Sequence, residues 1–240
     1  MKTIIDSHFS QYADYISQLP AMMARGEGET VYDKRNRVVR FEHEGLVMMV
    51  KRFKRANIIQ QIAYTFFRKS KSRRAFLFAE EFRLRGIETP QRVAYMEEHR
   101  WGLFTVGYFV SLETDGTETH LLLREVLDFS HELADAVARQ VVLMHSRGIL
   151  HGDLNLSNFL CRQSSDGYQF TMIDINRSRF TDGWPADEQC LQNLVRLTHR
   201  RDLYEYLVRS YARRRGWDEA VSSQRALLLL EQFEKKRFRL

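Results

Sequence analysis

The sequence predicts an α+β fold of two lobes, a β-rich lobe over residues 1–110 followed by a helical lobe over 111–240. Runs that read as strands, divided by short turn signals, cluster in the first half of the chain. Runs with helical spacing of apolar residues dominate the second half. The chain has 240 residues, 44% of them hydrophobic, with only 3 prolines and 12 glycines. That is enough for one substantial two-lobed domain, and too few breakers for long disordered linkers.

Residues 9–24 carry Tyr12, Ile16, Leu19 and Met23 at helical spacing, and Gly26-Glu27-Gly28 ends that helix. Strands follow at 30–32, 38–42 and 46–53, joined by turns at Lys34-Arg35-Asn36 and Glu44-Gly45. Residues 57–69 read as a helix with an aromatic patch at Tyr64, Phe66 and Phe67, and residues 72–85 as a second helix stopped by Gly86, with Pro90 beyond. Two more strands span 92–97 and 101–112, before a turn at Asp115-Gly116. A long helix is expected over 129–147, capped by Asp128 or Ser130 and ended by Gly148. A loop, a hairpin through Ser164-Ser165-Asp166-Gly167 and a strand at 169–173 come next, and the chain is helical by pattern from Asp187 onward. A β-rich lobe followed by a helical one leaves a cleft of the kind that takes a nucleotide.

Composition narrows the setting. Cys161 and Cys190 have no metal-ligand spacing and suit a reducing cytoplasm rather than a disulfide framework. The N-terminus reaches Asp6 before any apolar signal-like stretch develops, and runs such as 226–230 are far too short to span a bilayer. A soluble cytoplasmic protein is expected, at most peripheral to a membrane. The formal net charge of +6 favours polyanionic partners. Nucleic acid is not expected, because the basic residues lack an interleaved aromatic platform or a recognised module. The runs Arg213-Arg214-Arg215 and Lys235-Lys236-Arg237 read as solvated faces, or as a weak attraction to anionic lipid.

The chemistry lies in His151-Gly152-Asp153-Leu154-Asn155-Leu156-Ser157-Asn158 and, sixteen residues after Asn158, in Asp174 of Met172-Ile173-Asp174-Ile175-Asn176. Phosphoryl transfer from ATP needs an acid to take the proton of the attacking hydroxyl, which is the role expected of Asp153. It also needs oxygen ligands for Mg²⁺, and a neutral amide at Asn158 with a carboxylate at Asp174 supplies them. Lys51 follows the apolar run Leu46-Val47-Met48-Met49-Val50 on a strand, the context of a lysine that reaches the α- and β-phosphates. An acid on the following helix should orient it; Glu80 and Glu81 are both candidates. His151 is expected to order the loop and His145 to be structural. Arg177 and Arg179 either bind an anionic acceptor or pair with an acid of the helical lobe. No glycine-rich phosphate loop precedes Lys51; the basic hairpin 32–38 stands in its place.

Several segments together resemble a family. Val50-Lys51-Arg52-Phe53, Phe66-Phe67-Arg68-Lys69-Ser70-Lys71, Gly86-Ile87-Glu88-Thr89-Pro90, the residues 151–158 and Ile173-Asp174-Ile175-Asn176-Arg177 are similar to those of the bacterial lipopolysaccharide core kinases, the Kdo and heptose kinases. The resemblance runs from about residue 33 to 197. It implies a protein-kinase-like fold, ATP and Mg²⁺ as cofactors, and a sugar hydroxyl of the lipopolysaccharide core or lipid A precursor as acceptor, at the inner face of the inner membrane. It gives Lys51 to the ATP phosphates, Asp153 to the acceptor hydroxyl, and Asn158 and Asp174 to the metal. Two other readings use the same residues: an atypical protein or small-molecule kinase, and a pseudokinase binding module. The short stretch after Asp174, without an Ala-Pro-Glu segment, argues against protein substrates.

Overall fold

Alternation in the strand runs of the first half builds one six-stranded sheet. The computed structural model describes residues 1–165 and 167–237. It divides into two compact units, Met1–Arg83 with Thr89–Thr114 and Leu84–Glu88 with Asp115–Leu240. The expected boundary at 110/111 falls inside a strand, Leu103–Leu112.

The first unit contains β1 (Lys2–Ile5), α1 (Ala13–Arg25), β2 (Glu29–Asp33), β3 (Arg37–His43), β4 (Leu46–Arg52), α2 (Ile58–Ile62), α3 (Lys71–Leu84), β5 (Arg92–Arg100) and β6 (Leu103–Leu112). The sheet order is β1-β5-β6-β4-β3-β2, with every neighbouring pair antiparallel. β1 is the strand the sequence does not announce. It has four residues, two exposed and two half-buried, and its pairing with β5 makes it a strand. The first helix also starts later than expected: a 3₁₀ turn at Ser7–Tyr12 precedes α1, because Phe9 leaves the helical region.

The two faces of the sheet follow from period-2 alternation. Val50 lies opposite Val110, and Val110 opposite Ala94; these residues share one face with Met48 and Tyr108 and pack against Ile16, Leu19 and Met23 of α1. Lys51 lies opposite Phe109, and Phe109 opposite Tyr95, so all three project from the other face. α3 covers that face. Its Phe76 ring sits 5.3 Å from the Tyr95 ring, and its first turn crosses Gly107, where an added Cβ would lie 2.3 Å from Ser72 Oγ.

The second unit contains β7 (Thr117–Glu118), α4 (Thr119–Leu123), α5 (His131–Ser146), β8 (Ile149–Leu150), β9 (Phe159–Ser164), β10 (Gly167–Met172), β11 (Arg179–Phe180), α6 (Asp187–Leu194), α7 (Arg201–Arg215) and α8 (Glu219–Arg237). Of the two expected caps for α5 it is Ser130 whose Oγ accepts from the Leu133 amide, at 3.2 Å. β10, β9 and β7 form a small antiparallel sheet, and β11 pairs with β8. Asp166 of the expected hairpin turn lies outside the described residues. α5 packs on α7, where Ser210 donates to Asp135 and the His145 ring meets Tyr211 edge-on.

Candidate active site

The pairing of β8 with β11 brings two loops together, because each loop adjoins one strand of the pair. Arg179 lies opposite Leu150 and Phe180 opposite Ile149, so residues 151–158 run beside residues 173–178. Three contacts lock the loops together. The His151 Nε2–H donates to the Ile173 carbonyl at 3.0 Å, and the Ile173 amide donates to the Asn158 carbonyl at 3.0 Å. Gly152 meets the Arg177 backbone so closely that an added Cβ would lie 2.2 Å from its carbonyl oxygen. No side chain fits there, a physical reason for glycine between His151 and Asp153.

His151 is buried, and desolvation pushes its pKa down. The neutral ring donates through Nε2 and turns Nδ1 toward the Asp153 amide at 3.4 Å. It orders the loop, as the sequence suggests. Asn155 accepts from the amide and hydroxyl of Ser157, at 3.0 and 3.1 Å, and starts the 3₁₀ turn Leu156–Asn158. The Asn158 Nδ2 donates to the Asp153 carbonyl at 2.8 Å. With the nitrogen committed there, Oδ1 is the atom of Asn158 suited to a cation.

Asp174 has a left-handed backbone, φ 55° and ψ 38°. A residue with a Cβ pays about 1–2 kcal/mol for that conformation, and such outliers gather where a side chain must be aimed. Buried Asn176 holds the aim, its Nδ2 donating to Asp174 Oδ1 at 2.7 Å. One carboxylate and one amide oxygen form a donor set suited to Mg²⁺, which keeps several waters and takes its remaining ligands from phosphates.

The Asp153 carboxylate meets two guanidinium groups, Arg196 Nη1 at 3.3 Å from Oδ1 and Arg177 Nη1 at 3.5 Å from Oδ2. Of the two readings for Arg177, the structure shows pairing with an acid of its own unit, and that acid is Asp153. Arg179 is an exposed residue of β11. Asp153 also lines a cavity of about 650 Å³ with Asn155, Arg196, Phe233 and Lys236. Arg196 stacks over the Phe233 ring at 4.9 Å. The sequence reading missed Arg196 and Phe233 and placed Lys236 in a solvated run. Helical spacing alone does not reveal that α8 returns to the loop; the side chain of Arg237 lies outside the described residues.

In the first unit, Lys51 extends from the α3-covered face of the sheet, with Nζ 5.5 Å from the Phe53 ring centroid. Glu80 of α3 is engaged by Arg83 at 3.5 Å and by Arg92 of β5 at 3.6 Å, and Arg92 also pairs with Asp6 at 2.8 Å. Glu81 is half-buried and engaged as well. The run 213–215 is tied down internally: Arg213 pairs with Glu219, Arg214 with Asp135 and Arg215 with Asp187.

A family model described as the lipopolysaccharide kinase (Kdo/WaaP) family matches residues 23–223. No curated protein matches the chain. Among solved structures, WaaP in complex with acyl carrier protein is similar over 100% of this chain and 99% of that one, with a TM-score of 0.62 and 20% identity. The Rio2 kinase in an ADP/Mg²⁺-phosphoaspartate complex from Chaetomium thermophilum aligns with 85% of this chain and 61% of its own, with a TM-score of 0.49 and 16% identity. The fold is protein-kinase-like, as the sequence predicts.

Proposed function

The chain belongs to the lipopolysaccharide kinase (Kdo/WaaP) family and is a phosphotransferase, and we propose that it moves the γ-phosphoryl group of ATP, with Mg²⁺, onto a hydroxyl of Kdo or heptose in the lipopolysaccharide inner core. The observation that carries this reading is Asp153, held by two guanidiniums at the wall of a cavity large enough for a sugar. From there its carboxylate takes the proton of an acceptor hydroxyl as the new P–O bond forms. Asn158 Oδ1 and Asp174 would hold Mg²⁺, which when bound neutralises charge on the phosphate oxygens. Lys51 meets the α- and β-phosphates. Glu80, which serves Arg83 and Arg92, and Glu81, which is engaged as well, are both candidates for the acid that orients Lys51.

The cavity also informs the acceptor. Arg177 and Arg196 pair with Asp153, and Lys236 lines the same cavity as a third cation. That surplus suits an acceptor with its own negative charge, either the carboxylate of a sugar acid or a core phosphate. Among the described residues no helix is long and apolar enough to cross a membrane. The enzyme is assigned to the cytoplasmic face of the inner membrane, where the glycolipid precursor is presented.

The test is mass spectrometry of Kdo-bearing and heptose-bearing lipid A precursors incubated with the protein, ATP and Mg²⁺. One acceptor should gain about 80 Da, the mass of a transferred HPO₃. Arg196→Ala should raise the KM for that acceptor about tenfold and leave the KM for ATP unchanged. ATP turnover onto protein, with neither glycolipid modified, would overturn the acceptor assignment.

A further inference from the structure

The segment after β4 presents its apolar side outward. α2 continues into a π-helical turn, Ala63–Phe67, and the side chains that fix this segment to the sheet are largely polar. Thr65 Oγ1 accepts from the Phe104 amide at 2.9 Å and donates to the Gln61 carbonyl at 2.7 Å. Gln61 Nε2 donates to the Ala56 carbonyl, and Tyr64 packs edge-on against Phe104. The opposite side carries Ile58, Ile59, Ile62, Phe66 and Phe67, and the last two are 68% and 82% exposed. Trp101, at the β5–β6 turn three residues before Phe104, is 90% exposed, with Arg100 stacked on its ring at 4.5 Å.

Charge identifies what this side meets. From Lys51 through Ala79, both included, there are nine Lys or Arg residues and no Asp or Glu. Lys54 and Arg55 are exposed just before the helix, and Arg68 and Lys69 just after it. An apolar strip edged by cations, with an exposed tryptophan nearby, complements the boundary of an anionic bilayer, where apolar side chains enter about 5–10 Å and basic ones meet headgroups. The arginines at 213–215 lack this character, since each is paired with an acid.

We propose that the outward face of residues 58–67, with Trp101, docks the enzyme on an anionic membrane surface. This deepens the glycolipid-kinase reading by naming the surface that brings the enzyme to its acceptor. Binding is non-covalent, needs no nucleotide, and weakens with salt.

The experiment is co-sedimentation of the full chain with phosphatidylglycerol-containing vesicles and with phosphatidylcholine vesicles. Wild type should bind the first and not the second. The triple variant Ile59→Ser, Phe66→Ser, Phe67→Ser should lose binding about tenfold or more. Its melting temperature and its phosphorylation of a water-soluble, delipidated core acceptor should stay at wild-type values. Should the triple variant fail to fold, Lys54→Glu with Lys69→Glu tests the same surface through its charge. The proposal is overturned if wild type ignores anionic vesicles, if the variants bind them like wild type, or if the face captures an acidic protein and no vesicle. Vesicle binding without phosphorylation of the soluble acceptor would sink the kinase reading and leave the docking surface standing. The reverse pattern would remove only the docking surface.

Discussion

The two units hold their charged side chains by different physics. In the first, Lys51 is aimed by a sheet: apolar Val50 packs on one face, so Lys51 must point from the other. In the second, Asp153, Asn158 and Asp174 stand on loops, and their aim comes from polar contacts to His151, Asn176 and the backbone. Strand alternation tolerates substitution because many neighbours enforce it. A loop frame depends on a few bonds, each made by one group. The second unit should therefore be more sensitive both to single substitutions and to protons.

The largest effect expected is at Asp153. Asp153→Ala should lower kcat by about 10²-fold or more, the scale of lost general-base and positioning help. ATP binding should survive, because Asn158 is anchored by the Asp153 carbonyl rather than by its carboxylate. Single-turnover phosphorylation and nucleotide titration on the same sample would check both halves. Wild-type turnover in the variant would refute the assignment of Asp153 as base.

A pair of glycines compares the units directly. At Gly152 a new Cβ runs into the backbone carbonyl of Arg177, which cannot move without parting the two loops. Gly152→Ala should cost about 2 kcal/mol, as overpacking against a fixed obstacle does, and reduce activity with it. At Gly107 the obstacles are the Ser72 hydroxyl at 2.3 Å and the Ser72 Cβ at 2.9 Å, side-chain atoms rather than a backbone carbonyl. Gly107→Ala should cost about 1 kcal/mol and leave kcat nearly unchanged. Denaturant melts of the two variants side by side give the ranking, and the opposite order would show that loop and sheet do not differ in this way.

The same contrast explains what could be read from the chain alone. The strand carrying Lys51 was legible because alternation is a local property, and the long helix 131–146 because its apolar stripe and Ser130 cap are local too. β1 was missed because a four-residue edge strand exists only through its partner β5. Asp153, Asn158 and Asp174 stood out by spacing as candidates. Their supports did not. Arg196 and Phe233 reach Asp153 and its cavity from 43 and 80 residues further along the chain, and periodicity carries no signal for such a return. Glu80 and Glu81 were inseparable in sequence, because neighbours on one helix share the same local pattern, and contacts such as the Glu80–Arg92 ion pair between helix and sheet carry no local signal.

The most gradual effect is a dependence of stability on pH, to which the second unit contributes through its buried histidines. An ordered chain of donors runs through α5 and α7. Arg215 donates to the Tyr211 hydroxyl at 2.8 Å, Tyr211 donates to His145 Nδ1 at 2.8 Å, and His145 Nε2–H donates to Asn193 Oδ1 at 3.1 Å. A proton on Nδ1 would face the Tyr211 hydroxyl with a second donor and break the chain. Burial, with the nearby Arg215 charge adding to it, lowers the His145 pKa from 6.5 to about 4. A histidine with its folded pKa depressed contributes its full stability above the unfolded value. It loses that stability as pH falls from about 6.5 toward 4, because the unfolded chain takes up the proton first. The loss should be roughly 1 kcal/mol by pH 6 and about 3 kcal/mol near pH 4. His151, also held neutral by burial, adds to the slope with the same sign. Melting temperatures of wild type and His145→Gln between pH 7 and pH 5 test this. The glutamine variant should start less stable and fall less steeply, and equal slopes would place the acid sensitivity elsewhere in the chain.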